Sequence, residues 1–256
     1  MTEEFNKKIE DFIETLKNFD MDKMDNVFNP WKDYDKNHDF DESSPQKRCC
    51  NLCKYLKERE YAKYILIAEA PGYQGCHFSG IPMTSERLIL TNNAYGLEGL
   101  ERTSDYSEQN NKLAEAKIYT TKYPNGRNIA KTVIKNGFAE PTATIVWKQM
   151  VDELDIKPTD FVLWNAFPFH PYKDDDNILT NRKPNNTELE KTKIILDKFI
   201  DLFPLTKKDR KYICIGNVSE NTLKNILKVD FEFNKVPHPA NGGANDFRNE
   251  IQDLIS

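Results

Sequence analysis

The apolar positions of this chain fall into two kinds of pattern. Over Glu3–Phe19, the residues Phe5, Ile9, Phe12, Ile13, Leu16 and Phe19 recur at helical spacing and predict an amphipathic helix. Leu52, Tyr55 and Leu56 share one side of a second predicted helix, Gln46–Arg59. Four short apolar runs, Tyr64–Ala68, Phe161–Asn165, Lys211–Ile215 and Phe231–Val236, read instead as strands. Helical patterns fall between and after them, at Ser85–Leu90, Ala143–Leu154, Thr187–Phe203, Val218–Leu227 and Ala244–Ile255. Strands alternating with helices predict an α/β fold with three layers, α/β/α, around a central, mainly parallel four-stranded sheet. Asn26 to Pro45 is polar and Asp-rich, the pattern of a long surface loop, and residues 91–140 read as a partly helical insertion. We expect a single domain over 1–256, with a helical extension over 1–60.

Composition narrows this picture only a little. The 256 residues suffice for a sizeable core, and no run approaches the roughly 18 apolar residues of a membrane helix. The first twenty residues are charged throughout and lack the apolar centre of a secretion signal, so we expect a cytoplasmic protein that does not enter membranes. The net charge of −5 disfavours a protein-wide field for nucleic acid, although 36 Lys and Arg leave room for a local basic patch. Cys49, Cys50 and Cys53 form a CC-x-x-C cluster. A zinc or iron–sulfur site wants four ligands, and no second close pair is present, so we expect ordinary thiols and no cofactor.

Candidate chemistry concentrates where strands end. The first strand runs into "YILIAEAPGYQGCHFSGIPM", which spends three of the chain's ten glycines, Gly72, Gly75 and Gly80, in a short stretch. The second ends at Asn165 in "FVLWNAFPFHP", and the fourth leads into His238 in "FNKVPHPANGGAN". Ligands of open parallel sheets bind outside the carboxyl ends of the strands. A carboxylate (Glu69), a carboxamide (Asn165) and an imidazole (His238) can therefore meet in one crevice. Each has a plainer reading: an ion pair for Glu69, a turn for Asn165 and a packed loop for His238. The glycine-rich run also suggests phosphate binding, but it lacks the spacing of a dinucleotide fingerprint and the lysine of a P-loop.

These residues resemble the uracil-DNA glycosylase superfamily. "AEAPG" is similar to the first motif of the thermostable, family-four-type enzymes, while the spacing of "EAPGYQGCHFSGIPM" is closer to the single-strand-selective branch. "LWNAFPFHP" resembles the motif that carries the base-reading asparagine, and "HPANGGAN" the closing histidine-proline motif. The resemblance implies a uracil-DNA glycosylase-like fold and a monofunctional glycosylase, with water as nucleophile because no motif lysine is placed for Schiff-base chemistry. It implies that His238 stabilises the departing base anion, that Asn165 reads the Watson–Crick edge of a flipped base, and that Glu69 positions water or stabilises the sugar cation. Gly72, Phe78, Met83 and Phe167 are the further base-binding candidates. Main-chain N–H groups at the Gly72 and Gly80 turns are candidates for reaching the base or phosphates. Ser79, Ser85, Arg87, Asn241, Gly242 and Arg248 are the DNA-binding candidates, and DNA, single- or double-stranded, is the expected partner of a monomer.

Two departures shape the expected substrate. Several branches hold the water with an Asp or Asn where this chain has Ala70. Strict uracil enzymes wall off C5 with a tyrosine where it has Gly72, so the pocket should admit C5 substituents. Uracil or a C5-modified pyrimidine is the first substrate expectation. A bulky, hypermodified cytosine of phage DNA, such as a glucosylated hydroxymethylcytosine removed in defence, is the second. Ala70 and the acidic balance also leave open a catalytically silent module that binds nucleic acid.

Overall fold

The structure, a computed structural model, describes residues 2–91, 95–104, 133, 136–173, 178–204, 209–240 and 242–255. Helix α1 (Glu3–Lys17) opens the chain, with the Thr2 hydroxyl accepting the Phe5 N–H at its start. A two-residue strand β1 (Val27–Phe28) follows, then α2 (Ser44–Lys57) and β2 (Tyr64–Ala68). Short helices α3 (Cys76–Ser79) and α4 (Glu86–Thr91) precede α5 (Pro141–Trp147), which widens into a π-helical stretch over Lys148–Glu153. Then come β3 (Phe161–Asn165), β4 (His170–Pro171), α6 (Asn186–Ile200) and β5 (Lys211–Ile215). Helix α7 (Asn217–Asn221), with its own π-helical continuation over Thr222–Leu227, leads to β6 (Phe233–Val236) and α8 (Ala244–Ile255).

Four strands form one parallel sheet in the order β3-β2-β5-β6, flanked by helices, as the alternating pattern predicts. The chain leaves β2 for β3 on one side, then crosses back to β5 on the other. The switch point is thus the gap between the carboxyl ends of β2 and β5, where a parallel sheet opens a ligand crevice. The inner strands are mostly apolar because both faces are covered, and β3 is buried at all five positions, whereas edge strand β6 exposes Asn234 and Lys235. The α1 stripe completes one face, where Phe12 and Phe199 pack on Trp164 with ring centroids 5.4 and 4.4 Å away. Removing an aromatic ring of this kind typically costs about 3–5 kcal/mol.

The stretch 26–45 is not the surface loop its polarity suggests. Val27 and Phe28 pair antiparallel with Pro171 and His170, and Asn29, Trp31, Asp35, His38 and Asp39 are buried. The cause lies in α2. Arg48, fully buried, binds Asp39 at 2.5 and 3.0 Å, donates to the Asp33 carbonyl at 2.8 Å and also bonds the Pro30 carbonyl. A polar segment can go inside when one guanidinium satisfies its acceptors. The predicted final strand is also shorter than expected, because Phe231 leaves the ladder to pack on Tyr212, 4.1 Å between centroids. Most of the expected insertion over 91–140 lies outside the described residues.

Candidate active site

A cleft of about 700 Å³ opens at the switch point. Its floor is Ala68, Glu69, Ala70, Pro71 and Gly72 from the end of β2, with Gly216, Asn217 and Val218 from the end of β5. Pro237, His238 and Ala240 after β6 form one wall, and Asn181, Arg182 and Lys183 another. Met83, Glu140, Thr142 and Lys235 complete it.

His238 is held in one tautomer. Its Nδ1 lies 3.1 Å from the Ala240 N–H, which makes Nδ1 the acceptor and leaves the ring proton on Nε2. Burial lowers its pKa, and Lys183 lowers it further, so the neutral ring with an Nε2–H donor is the favoured form near neutral pH. The backbone around it leaves no slack. Gly216 has φ +90°, and a Cβ there would lie 3.2 Å from the His238 Cβ; a Cβ on Gly243 would collide with the His238 carbonyl.

Asn165 ends β3 directly beside Ala68, its register partner and a cleft residue. The backbones stay paired past the strands, with Ala166 N–H on the Ala68 carbonyl and Phe167 N–H on the Glu69 carbonyl. The Asn165 side chain is buried, yet neither its Oδ1 nor its Nδ2 finds a hydrogen-bond partner among the described residues. Such an orphaned amide typically costs about 1–3 kcal/mol, and it is the kind of group a ligand satisfies.

Two carboxyls face the cleft. Glu69 is half-buried; desolvation raises its pKa and Lys183 opposes the rise. Glu140, at the N-cap of α5, makes no capping bond with its side chain, and its Oε2 is shut from solvent without a partner among the described residues. Burial pushes its pKa up to about 7. Its carboxyl packs so closely over Gly75 that any Cβ there would strike it. No motif singles out Glu140, which sits at the far end of the predicted insertion.

The expected site residues divide sharply. Glu69, Gly72, Met83 and His238 line the cleft, and Asn165 adjoins it. Phe78 does not line it: its ring stacks on Phe138 in a separate small core, 5.5 Å between centroids. Phe167 turns into the main core against Phe169. Ser79 and Ser85 are buried, and the Ser79 hydroxyl serves the Ile81 carbonyl. Arg87 holds the Gly137 carbonyl at 3.0 Å. Gly80 is spent on packing, since its N–H binds the Cys76 carbonyl and a Cβ would press into the Arg48 backbone. Gly242 and Arg248 also lie off the cleft lining; Arg248 donates to Asn245 at 2.9 Å. Asn241 lies outside the described residues. Cys49, Cys50 and Cys53 are free thiols on α2, and no cluster of three or more His, Cys, Asp or Glu fit for a metal occurs among the described residues.

The fold is similar to the crystal structure of wild-type SMUG2 from Pedobacter heparinus, with a TM-score of 0.55. The match spans 98% of this chain and 95% of that one at 15% sequence identity. The fold is uracil-DNA glycosylase-like. No family model and no curated protein matches the chain. Among the described residues, no helix is long and apolar enough to cross a membrane.

Asn181, Lys183, Asn217 and Lys235 were not legible as cleft residues. The Gly216-Asn217 pair after the third strand carried a turn signal that marks this strand end too. Asn181 and Lys183 reach the cleft only because Arg182 binds Glu188 at 2.6 Å, the Tyr172 carbonyl at 3.0 Å and the Asp25 carbonyl at 2.8 Å. The contact to Asp25 joins segments far apart in sequence.

Proposed function

We infer that this chain is a monofunctional DNA glycosylase that hydrolyses the N-glycosidic bond of uracil or a C5-modified pyrimidine flipped out of DNA, leaving an abasic site. The observation that carries this reading is the buried carboxamide of Asn165, without a hydrogen-bond partner among the described residues, at a strand end next to the cleft that His238 lines. An amide accepts from N3–H and donates to O4 of uracil at once, and a flipped base would repair the hydrogen-bond deficit. The fold supports the same reading.

In this reaction the C1′–N1 bond breaks and its electron pair leaves with the base, as the sugar takes on oxocarbenium character. The His238 Nε2–H donates to O2 as the anion develops, and a neutral donor suffices because it need not give up its proton. Water attacks C1′, and the proton it loses balances the one that the departing base anion takes up. Glu69 is the carboxylate assigned to hold that water or the cation, since Ala70 has no polar atom for it. Gly72 presents no side chain on the floor, and the Asn181 amide packs where one would project, 3.2 Å from an added Cβ.

The size of the cleft favours the second reading, a bulky hypermodified cytosine of phage DNA. About 700 Å³ lies well within the range of whole-ligand pockets and exceeds what one pyrimidine fills. Oligonucleotides carrying uracil, 5-hydroxymethyluracil or glucosylated hydroxymethylcytosine, treated with protein and then alkali, separate the readings. Cleavage at uracil or hydroxymethyluracil supports the first, and cleavage only at the glucosylated base supports the second. DNA binding without cleavage at any base leaves the silent binding module.

A further inference from the structure

A chain of buried polar contacts runs from the interior to the cleft wall and ends on Asn181. Asp35 Oδ2 lies 2.7 Å from His38 Nδ1 and 3.2 Å from His77 Nε2. His77 Nδ1 meets His170 Nδ1 at 2.9 Å. His170 Nε2 faces the Thr180 carbonyl at 2.8 Å and Asn181 Oδ1 at 3.1 Å.

The protons of this chain can be counted. Asn181 Oδ1 accepts the Tyr73 N–H at 3.0 Å, which identifies it as the amide oxygen. His170 Nε2 therefore faces only acceptors and must carry hydrogen. Its Nδ1 is then the lone pair, so His77 Nδ1–H donates to it. The remaining His77 nitrogen meets Asp35, and that contact bonds only if one proton is shared between them. Burial pushes both imidazoles down, while the Asp35 carboxylate pulls His77 back up. Desolvation raises Asp35, but the bonds from His38 and His77 overcome it and hold the carboxyl well below the usual range. A net-neutral Asp35–His77 pair satisfies every member, and a fully satisfied network of this kind is rigid.

The consequence is at the cleft. With Oδ1 committed to Tyr73 and His170, the Asn181 Nδ2 is the free end of the amide, and it makes no hydrogen bond among the described residues. It lies against Gly72, where an added Cβ would sit 3.2 Å from it. Asn181 is exposed and lines the cleft. We propose that Asn181 is the specificity-determining donor of this site: its Nδ2–H is held over Gly72 to bond an acceptor at C5 of the flipped pyrimidine. His170 and His77 are positioning residues that fix which end of the amide faces the substrate. This rests on the glycosylase reading, which puts C5 on the Gly72 side.

The test compares single-turnover release of uracil, which has no C5 acceptor, with 5-formyluracil, whose substituent only accepts, and 5-hydroxymethyluracil, whose hydroxyl accepts or donates. In Asn181→Asp the group facing the substrate becomes an acceptor in nearly the same shape. The formyluracil-to-uracil ratio should fall about tenfold or more, the scale of one hydrogen bond, while the hydroxymethyluracil-to-uracil ratio falls less. Asn181→Ala should lower both ratios. In His170→Phe the Asn181 Oδ1 keeps only the Tyr73 N–H, so the amide is less firmly fixed and the formyluracil ratio should fall, though less than in Asn181→Asp. Because each readout is a ratio within one variant, partial loss of folded protein does not move it. Unchanged ratios in the Asn181 variants, with wild-type release intact, overturn this assignment alone. No release of any base by the wild type overturns the glycosylase reading and this assignment together.

Discussion

The Nδ1 of His238 takes the N–H of Ala240 at 3.1 Å, two residues along the same loop. That short bond decides which nitrogen presents a proton to the cleft. It lies in a tight loop, where the Gly243 N–H binds the Ala240 carbonyl at 3.2 Å and a Cβ on Gly243 would collide with the His238 carbonyl. His238→Ala removes the donor and should reduce base release by about 10²–10³, the usual cost of losing one preorganised donor to a developing anion. His238→Gln should retain more activity than Ala, and single-turnover rates compare the two. Because the pKa is lowered, the active neutral form should persist below the ordinary histidine range as pH falls.

Asn165 should trade stability for function. Replacing its unbonded, buried carboxamide with Leu removes a desolvation penalty of roughly 1–3 kcal/mol at similar volume. Asn165→Leu is expected to melt higher than the wild type and to release no base. A lower melting temperature would mean that the amide has partners in the free protein.

Glu140 should make stability depend on pH. Its folded pKa, about 7, lies above the unfolded value near 4.5, so the native state binds the extra proton between them. Stability contributed by the neutral carboxyl is present at low pH and is lost as pH rises through this window. Glu140→Gln should therefore flatten the profile, gaining most in melting temperature, relative to the wild type, at the alkaline end. Gly75→Ala should act on the same group, by driving the Glu140 carboxyl from its seat.

Lysines in the cleft raise the question of a covalent intermediate. Lys235 is paired with Glu220 at 2.8 Å, and Lys183 is exposed, whereas Schiff-base lysines are activated by desolvation or a neighbouring cation. Borohydride should trap no protein–DNA adduct. Lys183→Ala should instead weaken DNA binding and reduce its salt dependence, measured as the slope of log affinity against log salt.

The sheet was legible because β2, β3 and β5 are mostly apolar runs bounded by polar chain, and the ends of such runs placed Glu69, Asn165 and His238 at or beside the cleft. Gly80 was not, since a glycine needed to pass the Arg48 backbone looks the same in sequence as one that opens a pocket. Phe78 and Phe167 were misplaced because an aromatic beside a motif carries no sign of which way its ring turns. Glu140 and Asn181 come to the cleft through long-range contacts that leave no local period. The buried stretch around Asp35 reads as loop because its solvation comes from Arg48 and His77 rather than water.

Release of a base from DNA is decided by mass detection of the free base together with counting of abasic sites on the same oligonucleotide. The wild type should yield equal amounts of released pyrimidine and abasic site, and His238→Ala combined with Asn165→Leu should yield neither. Binding of DNA with no free base from uracil, C5-modified or glucosylated substrates would contradict the glycosylase reading.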